Sequence, residues 1–133
     1  MAVPDIEAKV YTAVKTKLLT EFPTVDISSL PEFKKPKTLS VRLYEFDNKT
    51  NGQYMTLTGG ELFANVSYEL QIRVTESNGK KQKAKAIFAN INETMINLGF
   101  MRNSMSPFFE DTAYRIAARY SGKVDVNGNI SRR

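Results

Sequence analysis

The chain has 133 residues, 41% hydrophobic and 25% charged, a balance that suits one globular domain and excludes wholesale disorder. Histidine and cysteine are both absent, which removes disulfides, thiol nucleophiles, cysteine zinc sites and the commonest general base and metal ligand. Nineteen basic against 14 acidic residues leave a net charge of +5, which permits attraction to polyanions and equally describes a solvated surface.

No apolar run approaches the roughly 20 residues of a membrane span. The opening MAVPDIEAKV places a proline and two acids where a secretory signal carries basic and then apolar residues. The expectation is a protein that stays where it is made and meets no membrane. On that reading the acceptor-like triplets at Asn48, Asn65, Asn92 and Asn129 carry no sugar.

Pro4 to Phe22 reads as the first helix. Proline suits the first helical position, Asp5 and Glu7 complement the positive end of the peptide dipoles, and Pro23 stops the run. Ile6, Val10, Val14, Leu18 and Phe22 make one apolar stripe. Thr24 to Lys37 reads as a proline-punctuated connector without regular structure. From Thr38 to Asp47, Leu39, Val41 and Leu43 alternate with Ser40, Arg42 and Tyr44, the period of a strand. Residues 48–62 form a long polar loop or a hairpin extension through Asn51 and Gly52, with Tyr54, Met55 and Leu57 as its apolar members.

The clearest alternation lies between Asn65 and Thr75. Val66, Tyr68, Leu70, Ile72 and Val74 face one way, and Asn65, Ser67, Glu69, Gln71, Arg73 and Thr75 the other. A second helix follows over Lys80 to Leu98, buried through Ala84, Ile87, Phe88, Ile91, Met95 and Leu98, with Gly99 and Phe100 set for a Schellman cap. Lys80, Lys81, Lys83 and Lys85 crowd its start, where the dipole disfavours positive charge. They are candidates for contact with an anionic partner, the alternative being a solvated cluster. Phe100 to Ser106 reads as a strand, Pro107 to Asp111 as its turn, and Thr112 to Val124 as the last strand. Arg115 and Arg119 lie on that strand's polar side.

The pattern predicts one α+β domain over residues 1–125, a mainly antiparallel sheet of four to five strands with two helices packed on one face, and a flexible tail over residues 126–133. No pair of acids is singled out for catalysis, and Gly59-Gly60 lacks the lysine and helix of a phosphate loop. We therefore expect no enzymatic activity and no cofactor or metal. Sheet-based RNA readers show aromatics on an open face, and the polar side of residues 65–75 has none. Nucleic-acid binding is left to backbone contacts from Lys34, Lys35 and Lys37 or from the group around Lys80.

The strand VSYELQIRV, the Asn-Gly-Lys-Lys entry to a helix, LGFMRNS, a proline-containing turn and the closing AYRIAARYSGKVD occur in this order between Thr38 and Asp125. That succession resembles the tail terminator and tail completion proteins of long-tailed bacteriophages, also described as minor capsid or head-tail joining proteins. The resemblance implies a virion structural protein at the tail-neck junction, assembled in the host cytoplasm. It further implies a homohexameric ring that caps the tail tube protein, stops its elongation and meets a head-neck connector or stopper, with DNA passing through the lumen. On it, Arg73, Arg115 and Arg119 would pair with acids of a neighbouring copy or line the lumen, the alternative being that they are solvated or ion-paired within their own subunit. Tyr54, Met55 and Leu57 would reach a neighbouring ring. The other readings are a different neck component, a head completion or adaptor protein, and a basic nucleic-acid-binding domain.

Overall fold

The computed structural model describes residues 5–30, 38–50, 63–75, 79–110, 112–125 and 127–131. Its elements are α1 (Glu7–Glu21), β1 (Asp26–Ser28), β2 (Leu39–Thr50), β3 (Phe63–Val74), α2 (Lys80–Leu98), β4 (Met101–Glu110), β5 (Ala113–Asp125) and β6 (Ile130–Ser131). The sheet runs β1-β2-β3-β5-β4, with β6 pairing beside the end of β5. Every pairing is antiparallel except that of β1 with β2. This is the expected α+β fold, with α1 against β2 and α2 against β3 and β5.

Burial follows from the alternation. Val66, Tyr68, Leu70, Ile72 and Val74 of β3 are all buried, flanked by Val41 and Leu43 of β2 and by Tyr114, Ile116, Ala118 and Tyr120 of β5. The helices close over this layer with Val10, Val14 and Leu18 of α1 and Ile87, Ile91 and Met95 of α2. Each such side chain contributes roughly 1.5–3 kcal/mol on leaving water. Buried tyrosine hydroxyls need partners, and those of Tyr68 and Tyr120 find them within the fold. Tyr68 donates to Glu45 Oε1 at 3.2 Å and Tyr120 to Asn92 Oδ1 at 2.7 Å. Burial pushes both phenols above the ordinary tyrosine range.

The end of α2 has the expected cap. Gly99 is left-handed at φ 112°, its N–H donates to Ile96 O at 3.0 Å, and the Phe100 N–H donates to Met95 O at 3.1 Å. Phe100 then meets Tyr68 edge to face at 5.2 Å. Gly122 makes room for it, since a Cβ there would sit 2.9 Å from Phe100 Cδ1.

Four local readings change. The connector after α1 contributes β1, three residues paired in parallel with Ser40 to Arg42. Residues 48–50, expected to open the long loop, belong to β2, which runs on to Thr50 and pairs with Ala64; the rest of that loop or hairpin reading, with Tyr54, Met55 and Leu57, and the lysines at 34, 35 and 37 lie outside the described residues. The turn expected at Pro107 is strand, since β4 continues to Glu110 with Pro107 opposite Ile116. Proline is tolerated there because β4 is an edge strand, where a missing N–H need not interrupt a ladder on both sides. The segment read as a tail turns at Asp125 to Asn129 and adds β6 to the β5 edge.

Candidate functional site

Two surfaces combine polar chemistry with exposure, the sheet face away from the helices and the outer strand β4. On the sheet face, register places side chains of different strands in rows. One row is Ser40, Arg73, Arg115 and Phe108; the next is Arg42, Gln71, Ala117 and Ser106; the third is Tyr44, Glu69, Arg119 and Ser104.

Arg115 stands directly opposite Arg73, a like-charge pair that is unfavourable without counter-charges. The counter-charge comes from the adjacent strand. Arg115 NH1 bonds both oxygens of Glu110 at 3.1 Å, and NH2 donates to Gln71 Oε1 at 2.7 Å. Its guanidinium also lies 5.5 Å from the Phe108 ring centre. Hydrogen bonds to charged groups contribute roughly 1.5–3 kcal/mol, so this arginine is fixed in its own sheet. Arg119 is looser: it lies 3.4 Å from Glu69 Oε1 with 56% of its side chain exposed, and covers the Phe46 ring at 4.8 Å. An exposed pair of that kind contributes roughly 0–1 kcal/mol. Arg73 is half-buried and makes no ion pair among the described residues.

Glu69 joins the rows. It accepts from the Tyr44 hydroxyl and from Gln71 Nε2, while Gln71 Nε2 also donates to the Tyr44 oxygen at 3.1 Å. Burial first, and the Glu69 bond second, push the Tyr44 phenol up to about 12. Of the three arginines singled out in the sequence, Arg115 and Arg119 thus share one network through Gln71, Tyr44 and Glu69.

The face is unevenly exposed. Ser40 and Arg42, which alternate with Leu39, Val41 and Leu43 along β2, are both buried. Arg42 reaches back to β1, with NH1 donating to Asp26 O at 2.9 Å and to Val41 O at 2.8 Å and NH2 to Asp26 Oδ2 at 3.1 Å. The aromatics that the β3 pattern lacks come from the neighbouring strands, as Tyr44 and Phe46 of β2 and Phe108 of β4. Phe46 projects at a bulge between Glu45 and Asp47.

At the far side of the sheet, β4 is ten residues long and exposed at every position except a half-buried Met105. Phe109 is 65% exposed, and Met101 and Phe108 are also open. No strand pairs with its outer edge among the described residues, so a row of backbone N–H and C=O groups faces outward. Both edges carry interruptions: β4 has Pro107 and a bulge between Arg102 and Ser104, while on the opposite edge β1 is short, β2 is bulged beside it, and the Glu45 N–H donates to Glu7 Oε2 at 2.8 Å.

The lysines at the start of α2 divide. Lys80 Nζ donates to Thr112 O at 2.8 Å and so secures the β4–β5 turn, and Lys83 lies 5.8 Å from the Phe22 ring centre. Lys81 and Lys85, four residues apart on the helix, are exposed. Among the described residues no group of three or more acidic residues is placed to hold a metal ion, and no helix is long and apolar enough to cross a membrane.

Sequence reasoning missed Tyr44, Phe46, Phe108, Phe109 and Glu110 as members of these surfaces. The available signal was the doublet of phenylalanines after Pro107, two adjacent large apolar residues where a turn would be polar. No protein-family model matches the chain, and no curated protein is significantly similar to it.

Proposed function

We propose that this protein is a noncatalytic virion assembly subunit of the tail-terminator kind, which forms a ring on the finished tail tube, stops its growth and offers a surface for the head-neck connector. The reading is supported by the ordered phrases between Thr38 and Asp125, whose described strands share one sheet with α2 packed on it, and by one observation above the rest: the exposed, ten-residue β4 beside an arginine network. Such a strand provides backbone and apolar contacts for another chain. The arginine network supplies polar groups already held in position, which favours specific docking over indiscriminate adhesion.

Deleting the gene and imaging the lysate tests the proposal. Overlong tails, or tails unjoined to filled heads, are expected; normal virions refute it. Filled heads lacking tails beside tails of normal length would instead favour another neck component.

Binding of nucleic acid is the rival from another class, and the pairing of Arg115 with Glu110 and of Arg119 with Glu69 counts against it. A carboxylate on each guanidinium competes with phosphate, leaving Lys81 and Lys85 as the exposed cations of their cluster. Binding of duplex DNA that falls steeply between low and moderate salt would favour the rival.

A further inference from the structure

The helical layer is narrower than the sheet. A helix is about 10 Å wide and strands lie about 4.8 Å apart, so one helix covers roughly two strands. Helix α2 lies on β3 and β5 and meets the next strand, β4, only at its margin. The helix-side residues of β4 are therefore left open. Pro107 and Phe109, opposite the buried Ile116 and Tyr114, are exposed, and Met105 is half-buried against the core.

The flank of α2 makes a wall beside this apolar floor. Lys81, Lys85, Phe88 and Asn92 recur every three or four residues on one side of the helix. Two contacts turn that side to β4. The Arg102 guanidinium lies 5.5 Å from the Phe88 ring centre, and Tyr120, the partner of Arg102 in the ladder, donates to Asn92 Oδ1. Lys81, Lys85 and Arg102 are exposed and make no ion pair among the described residues. The acids nearest in sequence are engaged elsewhere, Glu93 with Lys17 and Glu110 with Arg115. The result is a shelf with an apolar floor and three cations around it, roughly 28 Å long if it follows the 19 residues of α2.

An added strand would be a poor occupant of β4, because Pro107 gives no N–H to either side and a bulge breaks the ladder between Arg102 and Ser104. A second copy matches no better: its helices expose Lys9, Lys15, Lys81 and Lys85, and each chain carries +5. We propose that the shelf receives an amphipathic helix of a partner protein, about 18 residues long, with an apolar stripe and acidic flanks. Such a helix covers β4 and leans on α2, setting its stripe on Met105, Pro107 and Phe109 and its carboxylates beside Lys81, Lys85 and Arg102. The lysines at the start of α2, which the peptide dipoles disfavour, then gain a counter-charge that the same dipoles favour. Nothing in this docking depends on the protein being a tail subunit, so the two readings can fail separately.

The test is fluorescence anisotropy with a labelled peptide of that length, carrying leucines at helical spacing and glutamates on both flanks, and helical by circular dichroism. Saturable one-to-one binding is expected. Lys85→Glu or Arg102→Glu should weaken it at least about tenfold, since like charges then face each other, and Phe109→Ser severalfold. Lys9→Glu, the same charge change on the exposed side of α1, should leave it unchanged, and a peptide with lysines in place of the glutamates should not bind. Circular dichroism matching the parent shows that each variant folds. No binding to folded protein, or an equal loss from Lys9→Glu, would overturn the proposal. So would displacement of the peptide by equimolar duplex DNA, which would make the rim a phosphate site. Sedimentation showing a dimer of the protein alone that Phe109→Ser abolishes would give the shelf to a second copy and overturn it too. Overlong tails on gene deletion with no peptide binding would leave the terminator reading standing and remove only the helical partner; peptide binding with normal virions would do the reverse.

Discussion

Arg42 tests whether β1 is held to the sheet as described. Its side chain is 4% exposed and bonds the carbonyls of Asp26 and Val41 and the Asp26 carboxylate. In Arg42→Met the stem keeps its packing, and these bonds vanish. The two carbonyls lose a charged donor, at roughly 1.5–3 kcal/mol each. The carboxylate is 32% exposed and regains water, so its share stays near the roughly 0–1 kcal/mol of a surface pair. Removing a buried guanidinium also relieves its desolvation, which offsets part of the loss. The balance is a destabilisation of about 3 kcal/mol. With a urea dependence of roughly 2 kcal/mol per molar, the unfolding midpoint falls by about 1.5 M. Hydrogen exchange should quicken at the β1 amides before those of β3. A midpoint shift under about 0.3 M would show that the carbonyls find other donors and that Arg42 does not anchor β1.

Further predictions concern packing, pH and the outer strand. Gly99→Ala places a side chain at φ 112° with its Cβ 2.9 Å from Ile130 Cγ2, which should cost about 1–3 kcal/mol in chemical denaturation; adding Ile130→Ala relieves the clash and recovers only part. The raised phenols of Tyr11, Tyr44, Tyr68 and Tyr120 contribute fully below pH 10. Between pH 10 and 12 the unfolded chain ionises while the folded Tyr44 keeps its proton, so unfolding releases protons and stability should fall as pH rises through that window. Tyr44→Phe should flatten the fall in a series of urea melts. Phe109→Ser, at a 65% exposed position whose ring meets Tyr114 edge to face, should lower folding stability by at most about 1.5 kcal/mol, while binding of the acidic helical peptide weakens severalfold.

What could be read from the sequence had a local cause. Helix α2 follows from its apolar period and its glycine cap, both written in consecutive residues, and it begins and ends where that reading put it. The alternation of β3 likewise identified a central strand. The misses involve pairing. Strands β1 and β6, of three and two residues, are too short to show a period; partners in β2 and β5 define them. Pro107 marks a turn in isolation and is compatible with a strand only once one side of that strand is known to be open. The arginines were visible as a pattern, whereas the acids that hold them lie 5 and 50 residues away in sequence. Phe46, Phe108 and Tyr44 join the open face only through the register of three different pairings.

The central claim is that contacts of this protein end the growth of a tail tube. Purified protein added to the polymerising tail-tube protein of the same virus, followed by length measurement in negative-stain images, tests it most directly. The account predicts shorter tubes, each with a ring at one end, and length restored when Phe109→Ser protein is used instead. Tubes of unchanged length with no density at their ends, in the presence of folded protein, would contradict it.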